Sequence, residues 1–254
     1  MKLRVGARSW MYISTVLAAL LVVSIFFNFR LLSGTAASAS MPTVAKEPTV
    51  ASGAPKVDFY VMSYCPYGNQ AEEGLAPVYN LLKGKVEFNP HYVVYSKYQG
   101  GGPTYCIDPE SNYCSMHGAQ EMRQDVREMC VDKYMGAGNW FKFALAMNSQ
   151  CSAQNADSCW EKVATSLGLD AAKIKSCEAS ESITIAAEEL SLDSQNGVQG
   201  SPTVFIGGKE YSGGRAPGDF LKAICAQFPN PPAECNTQLT ASTASTATAA
   251  GCGT

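Results

Sequence analysis

The stretch Val57 to Ser63, VDFYVMS, is apolar on both of its alternating faces and runs straight into Tyr64-Cys65-Pro66. A strand of that kind is central in its sheet, because both faces need cover. From Pro66 to Leu82 the residues Ala71, Leu75, Val78 and Leu82 recur at helical spacing, with a kink expected at Pro77. Val86 to Tyr95 reads as a second strand whose pairing is bulged or interrupted at Pro90. A cysteine-bearing loop follows, then helical segments at about 116–133, 138–149, 156–167 and 171–191. In the first of these, Ala119, Met122, Val126, Met129 and Cys130 share one face. Thr203 to Ile206, Gly207-Gly208 and a short strand near Glu210 and Tyr211 read as a hairpin, and Pro217 to Gln227 as a closing helix. The fold class is therefore α/β: a sheet domain at 56–235 carrying an all-helical insertion at about 100–191.

Compartment follows from the N-terminus. Lys2, Arg4 and Arg8 precede an uncharged run from Trp10 to Phe29, long enough for a membrane span of about twenty residues. Basic residues ahead of the run favour a cytoplasmic tip at 1–9, a transmembrane signal-anchor at 10–32 and an extracytoplasmic domain. The alternative is secretion after cleavage near Ala39, within Ala37-Ser38-Ala39. Residues 33–55, rich in Ala, Ser, Thr, Pro and Val, read as a flexible linker, and 236–254 as a disordered tail that carries Cys252. Either route exports the domain, so its ten cysteines can form disulfides. From Lys56 to Cys235 there are 14 basic and 21 acidic side chains, a net charge of −7 that excludes a nucleic-acid partner.

Cys65 is the candidate nucleophile. Pro66 suits the first helical turn, so Cys65 stands at or beside an N-cap, facing free backbone N–H groups and the positive end of the helix dipole. Those groups favour the thiolate, which is the reactive form. The alternative is an inert buried thiol, and the end of a strand followed by Cys-Pro is a poor place for one.

At these residues the chain resembles the thioredoxin superfamily, and within it the DsbA-like branch, whose fold contains a helical insertion. Cys65-Pro66-Tyr67-Gly68 stands where that family has Cys-x-x-Cys, and Gly200-Ser201-Pro202-Thr203-Val204-Phe205-Ile206 resembles its cis-proline loop entering a strand. The Gly207-Gly208 hairpin and the last helix complete a resemblance that spans roughly Lys56 to Gln227. It implies catalytic roles for Cys65 and Pro202, and substrate binding by Pro66, Tyr67, Gly68, Ser201 and Thr203. The Ser201 backbone would pair with an extended substrate chain, a form of strand addition. The alternative for Pro202 is an ordinary trans proline that opens a strand. A second segment, Cys114-Ser115-Met116-His117-Gly118-Ala119-Gln120-Glu121 on through Met122 and Asp125 to Cys130, resembles the signature of gamma-interferon-inducible lysosomal thiol reductases. It departs by one extra residue after Cys114, by Met122 in place of a cysteine and by Asp125 in place of an asparagine. Cys114 and His117 read as metal ligands lack a second Cys-x-x-Cys or His-x-x-His, so no metal is expected.

Gly68 removes the resolving thiol of a dithiol site. Cys65 can attack a disulfide, but release then needs another thiol, from the substrate, from a small thiol or redox partner, or from elsewhere in the chain, where Cys252 is a candidate. Close spacing suggests bridges between Cys106 and Cys114, Cys151 and Cys159, and Cys225 and Cys235, while Cys130 and Cys177, both in the insertion, either pair with each other or, Cys177 especially, stay as buried free thiols. That accounting leaves Cys65 and Cys252 unpaired, although eight cysteines admit about 105 connectivities. The resulting expectation is a membrane-tethered thiol–disulfide oxidoreductase or isomerase with a single nucleophilic cysteine and no cofactor. Its partners are exported thiol- or disulfide-containing proteins and a regenerating thiol or redox protein. The alternative is a non-catalytic thioredoxin-like module that captures polypeptide, as a chaperone does.

Overall fold

The structure, a computed structural model, describes residues 49–240 and 252–253. The expected tip at 1–9, anchor at 10–32, most of the linker at 33–55 and residues 241–251 and 254 of the tail lie outside the described residues. Among the described residues no helix is long and apolar enough to cross a membrane.

Strand β1 (Lys56–Val61) lies inside a four-stranded sheet. It pairs in parallel with β2 (Glu87–Tyr92) and antiparallel with β4 (Thr203–Ile206), which pairs in turn with β5 (Lys209–Glu210). A separate pair joins β3 (Gly200–Ser201) to β6 (Cys252–Gly253). The double apolar face of β1 serves two clusters. Val57, Phe59 and Val61 enter the main core, whereas Tyr60 and Met62 enter a smaller cluster with Cys65, Val93 and Val198.

Helix α1 (Pro66–Leu82) follows β1 and runs unbroken through Pro77. The insertion comprises α2 (Ala119–Met135), α3 (Ala137–Gln150), α4 (Ala156–Ser166) and α5 (Ala171–Asn196), and α6 (Pro217–Cys225) closes the domain. Phe59 of β1 meets Trp140 of α3 edge-on, with ring centroids 5.2 Å apart, and stacks on Phe141 at 5.8 Å. The insertion therefore covers the sheet directly, and such aromatic pairs add to the stabilisation from burial. Trp140 Nε1 donates to the Tyr92 hydroxyl at 3.0 Å, and that hydroxyl donates to Glu128. Arg127, almost fully buried, ties α2 to α4 and α5 through Asp157 at 2.8 Å and Glu178 at 2.6 Å.

Pro90 does not interrupt β2; it stands in continuous register opposite Phe59. The reason is the position of β2 at the sheet edge. Glu87 and Val93 donate inward, to Pro55 and Val61, while the N–H groups of Tyr92 and Val94 point outward to Glu189 and Asp193 of α5, at 2.9 and 2.8 Å. By alternation the Pro90 nitrogen faces the same outer side, where no ladder bond is needed. The two α5 carboxylates cap an edge that would otherwise be open to pairing.

Candidate functional site

The site lies at the carboxyl end of β1. Cys65 is the N-cap of α1: its sulfur accepts the Gly68 N–H at 3.5 Å, and Pro66 occupies the first turn. The Cys65 side is closed by the Ser201-Pro202 loop, in which the peptide bond is cis. The Ser201 carbonyl oxygen lies 3.4 Å from the Cys65 sulfur, and Ser201 Oγ accepts the Met62 N–H at 3.0 Å. Cys65, Gly68 and Ser201 thus come into direct contact, with Pro202 adjoining. Pro66 is exposed, Tyr67 lies half-buried with the Arg215 guanidinium 5.4 Å from its ring centre, and the Thr203 hydroxyl turns back to the Gly200 carbonyl at 2.8 Å.

Gly68 is explained by its neighbour. A Cβ added there would collide with Ser201 Oγ and lie 3.4 Å from the Met62 carbonyl. The volume that a second cysteine of a dithiol motif would need is taken by the Ser201 hydroxyl.

The expectation that Cys65 and Cys252 stay unpaired is corrected by the structure. A disulfide joins them, with Cα atoms 6.0 Å apart across 187 positions of sequence. The Ala/Ser/Thr-rich composition of the tail hid this, since Cys252-Gly253 takes strand form only by lying against Gly200-Ser201. The other eight cysteines are joined as Cys106–Cys114, Cys130–Cys177, Cys151–Cys159 and Cys225–Cys235.

The turn leading into Cys65 is held by the insertion, a role that the residues' spacing signalled but did not disclose. Asp125 Oδ1 accepts both the Ser63 N–H at 3.0 Å and the Ser63 hydroxyl at 2.6 Å. Glu121 Oε1 accepts the Tyr64 N–H at 2.8 Å, while Oε2 takes the Ser115 hydroxyl at 2.5 Å and the His117 N–H at 3.0 Å. Glu121 and Asp125 sit four residues apart, hence on one face of α2. That interval, Glu121-Met122-Arg123-Gln124-Asp125, was the available clue. His117 itself bonds Glu121 at 2.8 Å, and this bond raises its pKa against the opposing effect of burial. Cys114 is committed to Cys106.

Burial dominates the electrostatics beneath the site. It pushes Asp125 well above the usual carboxylate range, with the Glu121 charge adding to it. It raises Glu72 in the same way, helped by Glu128, and lifts Glu128 to about 7. The Tyr64 hydroxyl is also driven up, by burial first and then by Glu128. The floor of the site is therefore rich in carboxyl groups that hold their protons more tightly than they would in water.

This fold is similar to that of solved proteins. DsbA from Mycobacterium tuberculosis in its reduced form gives a TM-score of 0.53 at 18% identity, covering 75% of this chain and 92% of that one. The disulfide bond oxidoreductase DsbG of the same organism gives 0.51 at 19% identity, covering 75% and 88%. At such identity the likeness establishes a thioredoxin-like fold of DsbA type. By sequence, the chain is 28% identical to vacuolar-sorting receptor 5 of Arabidopsis thaliana over 150 residues, 49% of this chain and 24% of the receptor. It is 25% identical to vacuolar-sorting receptor 1 of Pisum sativum over 174 residues, 57% of this chain and 28% of the receptor. The chain thus spans about a quarter of the length of these relatives. The family model for the vacuolar sorting receptor thioredoxin-like domain matches residues 73–225, more than half of the sequence. The chain belongs to the family of vacuolar sorting receptor thioredoxin-like domains.

Proposed function

We propose that this domain is an exported thiol–disulfide oxidoreductase, tethered by the segment at 10–32, in which Cys65 is the nucleophile and exported polypeptides are the clients. The supporting observation is the seat of the Cys65 sulfur: N-cap of α1, within reach of the Gly68 N–H, beside a Ser201 backbone that already pairs with an extended segment. A sulfur held by a helix N-terminus is stabilised as thiolate, and the β3 edge offers main-chain bonds to a client strand. Gly68 excludes the adjacent-dithiol form of the reaction. In the reduced protein, Cys65 alkylation should show a pH midpoint below the free-thiol value of about 8.5, and Cys65→Ala should abolish disulfide exchange with a peptide disulfide. A midpoint at or above the free value, with exchange unchanged in the variant, overturns the proposal.

A second reading is carried by the family match, whose boundaries at 73 and 225 leave out both Cys65 and Cys252. The relatives are named receptors, and a receptor-like module would capture extended polypeptide on the β3 edge without chemistry. This reading requires that Cys65→Ala bind such a peptide as tightly as the wild type and that neither exchange disulfides.

A further inference from the structure

A thiol at Cys65 that attacks a client disulfide needs a second thiol to let the client go, and Gly68 does not supply it. The disulfide between Cys65 and Cys252 brings a second sulfur to the same place from the far end of the chain. The tail is seated by its backbone as well as by its sulfur. Ser201 faces Cys252 and Gly200 faces Gly253 in antiparallel register. At Gly200 and Gly253 the two backbones come so close that side chains there are excluded. A Cβ on Gly200 would lie 2.5 Å from the Cys252 carbonyl oxygen, and one on Gly253 would lie 2.6 Å from the Gly200 Cα. Cys252-Gly253 therefore occupies the edge on which a client strand would pair, with its sulfur at the point of exchange. A cavity of about 370 Å³ adjoins the tail, lined among others by Asn196, Gln199, Thr203, Phe205 and Glu210, and leaves room along the edge for the flanking residues of a longer strand.

From this geometry we propose that Cys252 is the resolving cysteine of the Cys65 site and that Cys252-Gly253 displaces the client from the Gly200-Ser201 edge as it resolves; the inference rests on the reading of Cys65 as nucleophile. In the dithiol form, the Cys65 thiolate attacks a client disulfide. The Cys65–client S–S bond forms, the client S–S bond breaks, and the departing client thiolate takes up the proton that Cys65 gave up. Cys252, deprotonated in its turn, then attacks the Cys65 sulfur. The Cys65–Cys252 bond forms, the Cys65–client bond breaks, and the second client sulfur leaves and takes the proton from Cys252. The client is reduced by two electrons and the cysteine pair is oxidised by two, which gives the disulfide seen in the structure. A dithiol reductant returns the pair by attacking Cys252, which is partly exposed whereas Cys65 is fully buried. That attack expels Cys65, the sulfur held by the helix N-terminus and so the better leaving group.

The test uses the full chain, reduced and then mixed with a fluorescent peptide dimer joined by one disulfide. The wild type should carry covalent label only briefly and finish as the Cys65–Cys252 disulfide. Cys252→Ser should keep the label on Cys65 for about tenfold longer or more, because only external thiols can then release it. Gly253→Val, which retains both thiols but cannot seat against Gly200, should also prolong the label. If wild type and Cys252→Ser are labelled on Cys65 and shed the label at the same rate, the resolving role is wrong and the nucleophile stands. If Cys65 takes no label in either protein, the proposed function itself fails.

Discussion

Ser201 Oγ takes the Met62 N–H and stands where any side chain on residue 68 would have to go. Two roles thus compete for one small volume: a hydroxyl that satisfies a buried donor, or a second thiol beside Cys65. Restoring the motif with Gly68→Cys should therefore destabilise the domain by about 1–3 kcal/mol through overpacking. Ser201→Ala alone should cost about 1–3 kcal/mol by orphaning the Met62 N–H. Combined, the two should cost about 1 kcal/mol less than their sum, since the alanine removes the collision. Denaturant unfolding of the four proteins checks this, and strict additivity would show that the two positions do not share the space. The sequence announced the glycine as a departure from Cys-x-x-Cys; it held no sign that a residue 133 positions away in the numbering was the cause.

Helix α2 acts on the site without touching the reactive sulfur, because Glu121 and Asp125 fix the Ser63-Tyr64 backbone that aims Cys65. Burial favours the neutral form of Asp125, so Asp125→Asn, which keeps an acceptor for Ser63, should change stability by less than about 1 kcal/mol. Asp125→Ala leaves both Ser63 donors unpaired and should cost about 2–3 kcal/mol while slowing Cys65 alkylation. Equal losses in the two variants would rule out the hydrogen-bonding account. Elements of this kind are legible in proportion to how local their causes are. The starts of α1 and α6 were readable because Pro66 and Pro217 set them, and β1 because its own residues are apolar on both faces. The continuity of β2 through Pro90 was not readable, since it depends on the edge position and on carboxylates supplied by α5, about a hundred residues later. Nor was β6 readable, because two residues of a Ser/Thr/Ala tail have no strand signal apart from the edge they meet.

Across the whole molecule, the buried acids set how stability follows pH. Burial holds Glu128 at about 7 against an ordinary value of 4.5, and Asp193 at about 8 against 3.8. Burial lowers His91, but the bond and charge of Glu189 outweigh it and the net shift is upward. A folded-state pKa above the unfolded one means that the folded state holds the extra proton. The stability this contributes is complete near pH 4 and is lost as pH rises through 7 to 8. The downward-shifted acids Asp157, Glu181 and Glu234 are partly exposed, and their contribution is lost only at lower pH, as pH falls below the ordinary carboxylate range. Thermal unfolding of the oxidised protein should therefore give a Tm that falls between pH 5 and pH 8.5, and a flat or rising Tm would contradict the assignment. The Cys65–Cys252 bond has another consequence at this scale, a mechanical one. It closes nearly the whole domain into a covalent ring of 187 sequence steps. Tension applied through the two chain ends passes across that one bond and bypasses everything inside the ring. Reducing that bond alone, with the other bridges still closing their own loops, would release a contour length on the order of 400 Å, so the oxidation state of a single sulfur pair sets whether this domain behaves under load as a short link or as a long extensible one.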